Sequence, residues 1–571
     1  MLTDARQLPA DTTIESDVCI VGSGPAGLTI ARELSGRGLR IALLESGGRD
    51  FEAAYQQLNE GQVSGDPYYP LEVTRRRQLG GTAQILNSVS GDDFISFRCG
   101  PMYPIDLERR EGFRHSGWPV DLHHLDPFYR RAQVACGLGA YQYEGEAWSE
   151  PGAQPFSSPD DTLGTTVWQF ADAAAFTRVA PEAVISAPDV DAYVHASVVE
   201  LLTDETGQHV TALRIRCLDG KELTARARAY VLAGGGIENP RLLLLSRAVH
   251  AAGIGNEHDL VGRFFMEHPV VRCGTLTPDD RDLFNRASLY GMRRVNGTWV
   301  VGKLRLSEEV LRREKLLNLS ALLLPRHPLH DRFRQESVDS LAALLSGARH
   351  LRLPSSAGKH LWNVITGLDY VAAVTARKLS RGALFRYWMP GPTLLGGRPW
   401  ADLPDKDRRY THFEVLLHTE QAPDPGNRVR LSDQKDALGV PKAHLEWRWD
   451  ETSIDNVRRA EAALAREFAR AGLGRLDIDV EDGRPHLVIP GLNHHIGTTR
   501  MHEDPRHGVV DANARVHGVS NLFVAGSSVF PTGGYINVTL TIVALAIRLA
   551  DHLKTVLTDT AFNAPSQHIE V

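Results

Sequence analysis

Three glycines near the start of the chain have the spacing of a phosphate-binding turn. Gly22, Gly24 and Gly27 form the pattern G-x-G-x-x-G directly after the apolar run Val18 to Val21. Bare backbone at such a turn lets a pyrophosphate approach the N-terminus of the following helix, whose partial positive charge favours an anion. The pattern therefore predicts that a dinucleotide binds here.

The residues around these glycines predict a strand, a helix and a second strand. Apolar residues recur at helical spacing from Leu28 to Leu34, and a second apolar run extends from Ile41 to Leu44. Glu45 closes that second strand, where a carboxylate accepts hydrogen bonds from ribose hydroxyls and disfavours a 2′-phosphate. NAD and FAD share the ADP portion that this unit recognises, so the unit leaves the choice between them open.

Four short motifs stand close together near the C-terminus. They are H-x-x-G-T-x-x-M from His494 to Met501, V-V-D from Val509 to Asp511, R-V-H-G-V from Arg515 to Val519 and N-x-x-L-T from Asn537 to Thr541. In this order, and together with the N-terminal glycine motif, they resemble the glucose-methanol-choline (GMC) oxidoreductase family of flavoenzymes. The resemblance implies FAD as the cofactor and alcohol oxidation as the reaction.

The resemblance also implies the catalytic residues. In the family, the histidine that opens H-x-x-G-T acts with a His or Asn near the last helix, which here corresponds to His494 and Asn537. This is the His/Asn type, similar to pyranose oxidase-like bacterial members. The chemistry suits these residues, because a neutral imidazole takes the hydroxyl proton while hydride leaves carbon for flavin N5. An amide N–H suffices to hold the developing alkoxide.

Other positions resemble the segments that line the flavin in the family. Gly80-Gly81-Thr82 is similar to a stretch beside the flavin, and Val198 to a strand residue whose backbone meets the adenine. The cofactor-binding residues implied in this way are Gly22, Gly24, Pro25, Ala26, Gly27, Glu45, Ser46, Gly80, Gly81, Thr82, Asn87, Val198, Gly526, Asn537, Val538 and Thr539.

Some relatives attach FAD covalently through a histidine in the stretch after the two glycines. Residues 82–87 read TAQILN and contain no His or Cys. We therefore expect FAD to be bound non-covalently.

Several charged or polar groups have structural explanations that we favour over functional ones. Arg75, Arg76 and Arg77 form a charge triplet, which is usually a solvated face. For Glu420 and the adjacent Gln421 we expect a strand-end hydrogen bond rather than a substrate contact. The histidine pairs of the chain lack a second pair of ligands at defined spacing, so no metal site is expected.

Composition excludes several classes of protein. The 571 residues are 42% hydrophobic and 23% charged, which is neither fibrous nor disordered, and a net charge of −7 argues against a nucleic-acid partner. Five singly spaced cysteines favour a reducing compartment. The polar N-terminus and the absence of an uncharged apolar run of 18 residues lead us to expect a cytoplasmic protein without a membrane span.

We predict an α/β fold with a doubly wound, Rossmann-like FAD-binding domain and an interleaved α+β substrate-binding domain. Residues 1–110, 190–275 and 490–571 are assigned to the first domain, because Gly22 and His494 must meet around one FAD. Residues 111–189 and 276–489, with a lid-like insertion, are assigned to the second.

The predicted function is FAD-dependent oxidation of a CH–OH group in a small alcohol, sugar, glycoside or polyol. Oxygen or a quinone-like molecule would reoxidise the flavin. Three alternatives stay open at this point: an FAD-containing lyase of the same fold, a two-domain NAD(P)-dependent dehydrogenase, and a non-catalytic flavin-binding protein. The oligomeric state is not predicted.

Overall fold

The computed structural model describes residues 1–86, 88–90, 93–326, 337, 340–345, 356–368, 371 and 400–558. Asn87, one of the predicted cofactor-binding residues, lies outside the described residues, as does much of the predicted lid-like insertion.

The strands of the described residues are numbered in chain order. They are β1 (Leu2–Asp4), β2 (Thr13–Glu15), β3 (Val18–Val21), β4 (Ile41–Leu44), β5 (Gly61–Gly65), β6 (Ser88–Ser90), β7 (Asp93–Cys99), β8 (Leu163–Asp172), β9 (Val190–Val194), β10 (Ser197–Thr203), β11 (Val210–Arg216), β12 (Glu222–Arg226), β13 (Ala229–Leu232), β14 (Val270–Thr277), β15 (Arg293–Val295), β16 (Thr298–Leu306), β17 (Leu319–Arg326), β18 (His412–Thr419), β19 (Arg428–Lys435), β20 (Pro441–Trp447), β21 (Arg475–Ile478), β22 (Val480–Glu481), β23 (Arg484–Ile489) and β24 (Leu522–Val524).

The longer α-helices are α1 (Pro25–Leu34), α2 (Leu122–Ala135), α3 (Ala180–Ser186), α4 (Gly235–Leu245), α5 (Ala357–Thr366), α6 (Glu451–Arg470) and α7 (Thr539–Thr558). Short α-helices of four to six residues cover Ala53–Gln56, Pro104–Leu107, Leu283–Arg286, Glu308–Arg313 and Lys406–Arg409.

A parallel sheet of six strands has the order β1-β9-β4-β3-β13-β24. Its central strands are almost wholly buried apolar runs, as expected when helices cover both faces of a parallel sheet. Helix α1 connects β3 to β4 and packs against α7. The predicted strand, helix and strand around the glycine motif are therefore present, and the α/β, Rossmann-like fold class is confirmed.

A second, larger sheet has eleven strands in the order β22-β23-β14-β18-β17-β16-β8-β7-β6, with β15 paired to β16 and β21 to β14. Helix α6 packs on β21 and β23. Strands β6 and β7 belong to this sheet although they lie within the segment 1–110 assigned to the FAD-binding domain, because β7 pairs with β8. The domain division itself stays a prediction.

None of the helices in the described part of the chain is long and apolar enough to cross a membrane.

A buried ion pair fastens the loop after residue 107 to the end of β18. Arg110 donates two hydrogen bonds to Glu420, with Nη1 at 2.7 Å and Nη2 at 2.5 Å from the carboxylate oxygens. Glu420 also accepts from the backbone N–H of Asn318 at 3.1 Å. These bonds give Glu420 a structural role.

We predict that Arg110→Met lowers the free energy of unfolding by about 3–5 kcal/mol, because it leaves a buried carboxylate without its counter-charge. Thermal unfolding of the holoprotein measures the loss. The matched control is Arg130→Met, which breaks the exposed ion pair with Asp126 and is expected to leave the unfolding temperature unchanged. Equal effects of the two changes would contradict the assignment.

Candidate active site

A large cavity opens at the carboxyl end of β3, where the glycine turn faces the segments 492–495 and 537–539. It encloses about 1460 Å³ of space, including its open mouth. His494 lines it, and so does every described residue of the predicted cofactor set except Gly27 and Gly80. The structure thus brings together residues from both ends of the chain.

At two of the three glycine positions of the turn, no residue with a side chain fits. A Cβ on Gly27 would lie 1.9 Å from the carbonyl oxygen of Gly22, and Gly22 itself has φ +104°. These two residues therefore permit close packing of α1 on the turn. Gly24 differs, because a Cβ there would meet no atom within 4 Å and would project into open space.

Glu45 is held in place at the end of β4. Its carboxylate accepts hydrogen bonds from the Ser23 N–H at 3.1 Å, the Ser23 hydroxyl at 2.5 Å and the Gly47 N–H at 2.8 Å. Burial raises the pKa of Glu45, and these donors counteract that effect. The side chain lines the cavity, as the ribose-binding prediction requires.

The arginine triplet does not form the solvated face that the sequence analysis favoured. Arg75 and Arg77 are largely buried, and their guanidinium groups lie 2.8 Å and 3.0 Å from the carboxylate of Glu238. Together with Arg241, they hold the pKa of Glu238 well below its usual range. The prediction was wrong because the partner, Glu238, is distant in the chain, and all three residues of the triplet line the cavity.

The H-x-x-G-T motif has a clear local geometry. Gly497 adopts φ +90°, and a Cβ there would lie 2.2 Å from the carbonyl oxygen of Phe264. The Thr498 hydroxyl donates to the carbonyl of Gly236 at 2.6 Å, near the start of α4. These two contacts fix the segment that carries His494 against both α4 and the residues before β14.

His494 and Asn537, the predicted catalytic pair, lie in hydrogen-bond contact. The distance from Asn537 Nδ2 to His494 Nε2 is 3.2 Å, and both side chains are buried. The Asn537 Oδ1 atom has no partner among the described residues. The pair thus presents an imidazole nitrogen, an amide N–H and a free carbonyl oxygen to the cavity.

A third residue, His268, determines which nitrogen of His494 carries the proton. His268 Nε2 lies 3.2 Å from the carbonyl oxygen of Gly533, which can only accept, so this nitrogen is the N–H of the neutral ring. His268 Nδ1 therefore accepts a hydrogen bond from His494 Nδ1, 2.8 Å away. His494 consequently keeps its lone pair on Nε2, beside Asn537.

Glu267 fixes the backbone around both histidines. One oxygen of its carboxylate accepts from the N–H groups of His494 at 2.9 Å, His268 at 3.2 Å and Leu492 at 3.2 Å. The other accepts from the Tyr68 hydroxyl. Burial raises the pKa of Glu267 to about 7, although these donors lower it. No motif of the sequence pointed to Glu267 and His268, which stand in the segment MEHP.

The histidines of the site are neutral at pH 7. Burial lowers the pKa of His268 to about 4 and that of His495 to about 3, and it holds the pKa of His494 well below its usual range. Arg98 contributes to the shift of His494 through its positive charge. A neutral imidazole, with a lone pair on one ring nitrogen, is the form that can accept a proton.

Sequence comparison agrees with this geometry. The family model described as GMC oxidoreductase matches residues 423–546, and the model described as FAD dependent oxidoreductase matches residues 17–252. The chain is a GMC oxidoreductase. Its cofactor is FAD, and it is an FAD-dependent oxidoreductase of CH–OH donors.

The relatives of this GMC oxidoreductase include two that align over most of both chains. A 2-methyl-1,2-propanediol dehydrogenase of Mycolicibacterium austroafricanum is 24% identical, covering 95% of this chain and 96% of its own. A fructose dehydrogenase large subunit of Gluconobacter japonicus is 29% identical, covering 95% and 98%. The solved structure of pyridoxine 4-oxidase from Mesorbium loti aligns with a TM-score of 0.46 at 16% identity, covering 94% and 98%.

The cavity of the GMC oxidoreductase fits FAD by its own chemistry. Open space at Gly24 lies beside the N-terminus of α1, where a diphosphate is favoured. The buried atoms that make no hydrogen bond within the described residues include Asn537 Oδ1, Asn493 Oδ1 and His495 Nε2. All three residues line the same cavity.

We predict that Gly24→Ala weakens FAD binding at least about tenfold, because the new methyl group projects into the space that the diphosphate requires. Titration of the apoprotein followed by flavin fluorescence measures the affinity. Gly164→Ala is the control, since its Cβ also meets no atom within 4 Å but lies in β8. Unchanged affinity in Gly24→Ala, or equal losses in both variants, would place the diphosphate elsewhere.

We also predict that His268→Phe slows flavin reduction by substrate at least about tenfold, because the acceptor that holds the His494 tautomer is lost. His268→Asn keeps an acceptor oxygen and should restore part of the rate. FAD affinity, measured on the same preparations, should be unchanged. A purely structural role for His268 would give no difference between the Phe and Asn variants once both are folded.

Proposed function

We propose that His494 is the catalytic base and Asn537 the group that stabilises the alkoxide, in the oxidation of a small alcohol or sugar. The observation that carries this proposal is the contact between His494 Nε2 and Asn537 Nδ2, combined with the His268 contact that leaves the lone pair on Nε2. A substrate hydroxyl placed against both atoms would donate its proton to Nε2 and accept from the amide N–H.

Each residue of the site has a separate role in the proposed oxidation. When bound, FAD supplies the hydride acceptor for the carbinol carbon. His494 takes the hydroxyl proton, and Asn537 donates to the oxygen as negative charge develops there. His268 and Glu267 are positioning residues, because they act on the ring and backbone of His494 rather than on the substrate.

The substrate class follows from the relatives. One acts by its name on fructose and another on 2-methyl-1,2-propanediol, while C-glycoside 3-oxidases match over about a quarter of this chain. We infer that this protein oxidises a polyhydroxylated small molecule. For the flavin we infer non-covalent attachment, since residues 82–86 contain no His or Cys, and reoxidation by oxygen or a quinone-like molecule.

We predict that His494→Ala keeps FAD but slows its reduction by substrate at least about 100-fold, the usual scale for loss of a general base. Anaerobic stopped-flow bleaching of the flavin measures the rate. The control is His123→Ala, an exposed histidine of α2, for which the wild-type rate is expected. Acid precipitation of the same samples should release all of the flavin.

The pH dependence supplies a second criterion. His494 must be neutral to act, so the rate of flavin reduction should fall on the acid side, with an apparent pKa below 6.5, because burial and Arg98 lower the pKa of His494.

Near-normal flavin reduction in the His494→Ala variant would refute the assignment of His494 as the base. A substrate that is converted while the flavin stays oxidised would instead identify a lyase.

A further inference from the structure

One face of the large sheet carries a row of buried polar side chains that no step proposed above uses. The row consists of Arg98 on β7, Trp168 on β8, Lys303 on β16, Ser320 on β17 and His418 on β18. The strand registers place all five on the same face. Arg98 pairs with Phe170, Lys303 with Thr166 and Ser320 with His418, and the pair of Leu304 with Ala321 connects the middle two strands.

Several polar atoms of this row have no hydrogen-bond partner in the described part of the chain. Lys303 Nζ, Trp168 Nε1, Ser320 Oγ and both ring nitrogens of His418 make no hydrogen bond within the described residues. Buried polar groups in native proteins are almost always bonded, and an unsatisfied group indicates a water, an ion or a ligand. Five such atoms on one sheet face indicate a site.

The row contains two basic side chains, both beside the ring of Trp168. Lys303 Nζ lies 3.4 Å above the ring centroid of Trp168, and the Arg98 guanidinium lies 5.0 Å from the same centroid. Neither cation forms an ion pair with a carboxylate of the described residues. By contrast Arg305, two residues after Lys303 on the same strand face, pairs with Glu144.

The row extends towards the catalytic pair. His418 pairs with Val270, two residues after His268, and the ring centroid of Trp168 lies 6.3 Å from that of Tyr535, two residues before Asn537. Burial and the charge of Arg98 lower the pKa of His494, and burial together with the charges of Lys303 and Arg98 lowers that of His418. Burial also lowers the pKa of Arg98 to about 10 and that of Lys303 well below its usual value. An anion bound beside Lys303 and Arg98 would raise both pKa values again, because an opposite charge favours the protonated form.

We propose that Lys303 and Arg98 form a subsite for an anionic group of the substrate, a carboxylate or a phosphate, so that the alcohol oxidised at His494 carries a negative charge. This inference rests on the proposed function and specifies its substrate class. Trp168 N–H and the Ser320 hydroxyl are the neutral donors that complete the subsite, and His418 joins it to His268.

The test compares alcohols that share a skeleton and differ in charge. Glucose, glucuronate and glucose 6-phosphate, and likewise glycerol, glycerate and glycerol 3-phosphate, are mixed anaerobically with the holoenzyme, and flavin bleaching is recorded. The expected result is that one anionic member of a set reduces the flavin with kcat/KM at least about tenfold above its neutral counterpart. The carboxylates and the phosphates are separate arms that distinguish the two anions.

Two variants test whether Lys303 causes the preference for an anionic alcohol. Lys303→Met should raise KM for the preferred anionic alcohol at least about tenfold and leave the neutral alcohol unaffected. The matched control is Lys406→Met, because Lys406 is also buried but donates to Ser288 Oγ at 2.6 Å and to the carbonyl of Ala401 at 2.9 Å. Equal losses for neutral and anionic alcohols in Lys303→Met would overturn the proposal.

A binding measurement keeps the subsite testable if Lys303→Met fails to fold or no alcohol reacts. Acetate and inorganic phosphate are titrated into the wild-type holoenzyme, with acetamide as the neutral control, and the change in flavin absorbance is recorded. Saturable binding of one anion, lost in Lys303→Met or in Arg98→Met, supports the subsite even when the proposed function fails. Absence of anion binding, with neutral alcohols reducing the flavin, overturns the subsite and leaves the proposed function intact.

Discussion

The geometry of the proposed catalytic pair, His494 and Asn537, depends on one buried carboxyl group, that of Glu267. It accepts hydrogen bonds from the backbone at residues 268, 492 and 494 and from Tyr68, and thereby joins three separate segments of the chain. A carboxylate without these donors would be expensive to bury, and even with them its pKa rises to about 7. The histidine positions are therefore set by a single group that does not itself line the cavity.

The electrostatic character of the site follows mainly from burial, which outweighs the charge of the nearby acid Glu420. His268 and His494 stay neutral, since the protein interior penalises their charged forms and Arg98 adds a like charge near His494. The charge of Arg98 gives the same region a positive potential. Such a field favours negative charge on the substrate, both on the oxygen that loses its proton and on any anionic substituent.

The parallel sheet and the large sheet contribute different parts of the site. The parallel sheet presents the glycine turn and Glu45 at the carboxyl ends of β3 and β4, the usual place for a ligand in an open α/β sheet. In the large sheet, the strands from β7 to β18 carry the polar row, and His418 at the end of the row pairs with Val270, two residues after His268. Segments 492–495 and 537–539 line the cavity together with the glycine turn, so residues from both ends of the chain meet there.

The sequence by itself determined the local features. The glycine turn, the strand and helix beside it and the geometry of H-x-x-G-T follow from steric limits on neighbouring residues, such as the φ of +90° at Gly497. These features identify the cofactor and place His494 and Asn537 in their motifs. These features depend on residues that are a few positions apart in the chain, so the sequence pattern alone predicts them.

Tertiary structure alone decided which distant groups become partners. Arg75 and Arg77 are buried because Glu238 lies beside them, and His268 reaches His494 because of how the chain enters β14. Lys303 and Arg98 share a face only through the register of β7, β8 and β16. The physical reason is that burial and pairing of a charge depend on long-range packing. The type of a residue does not indicate which strand will lie beside it in the folded protein.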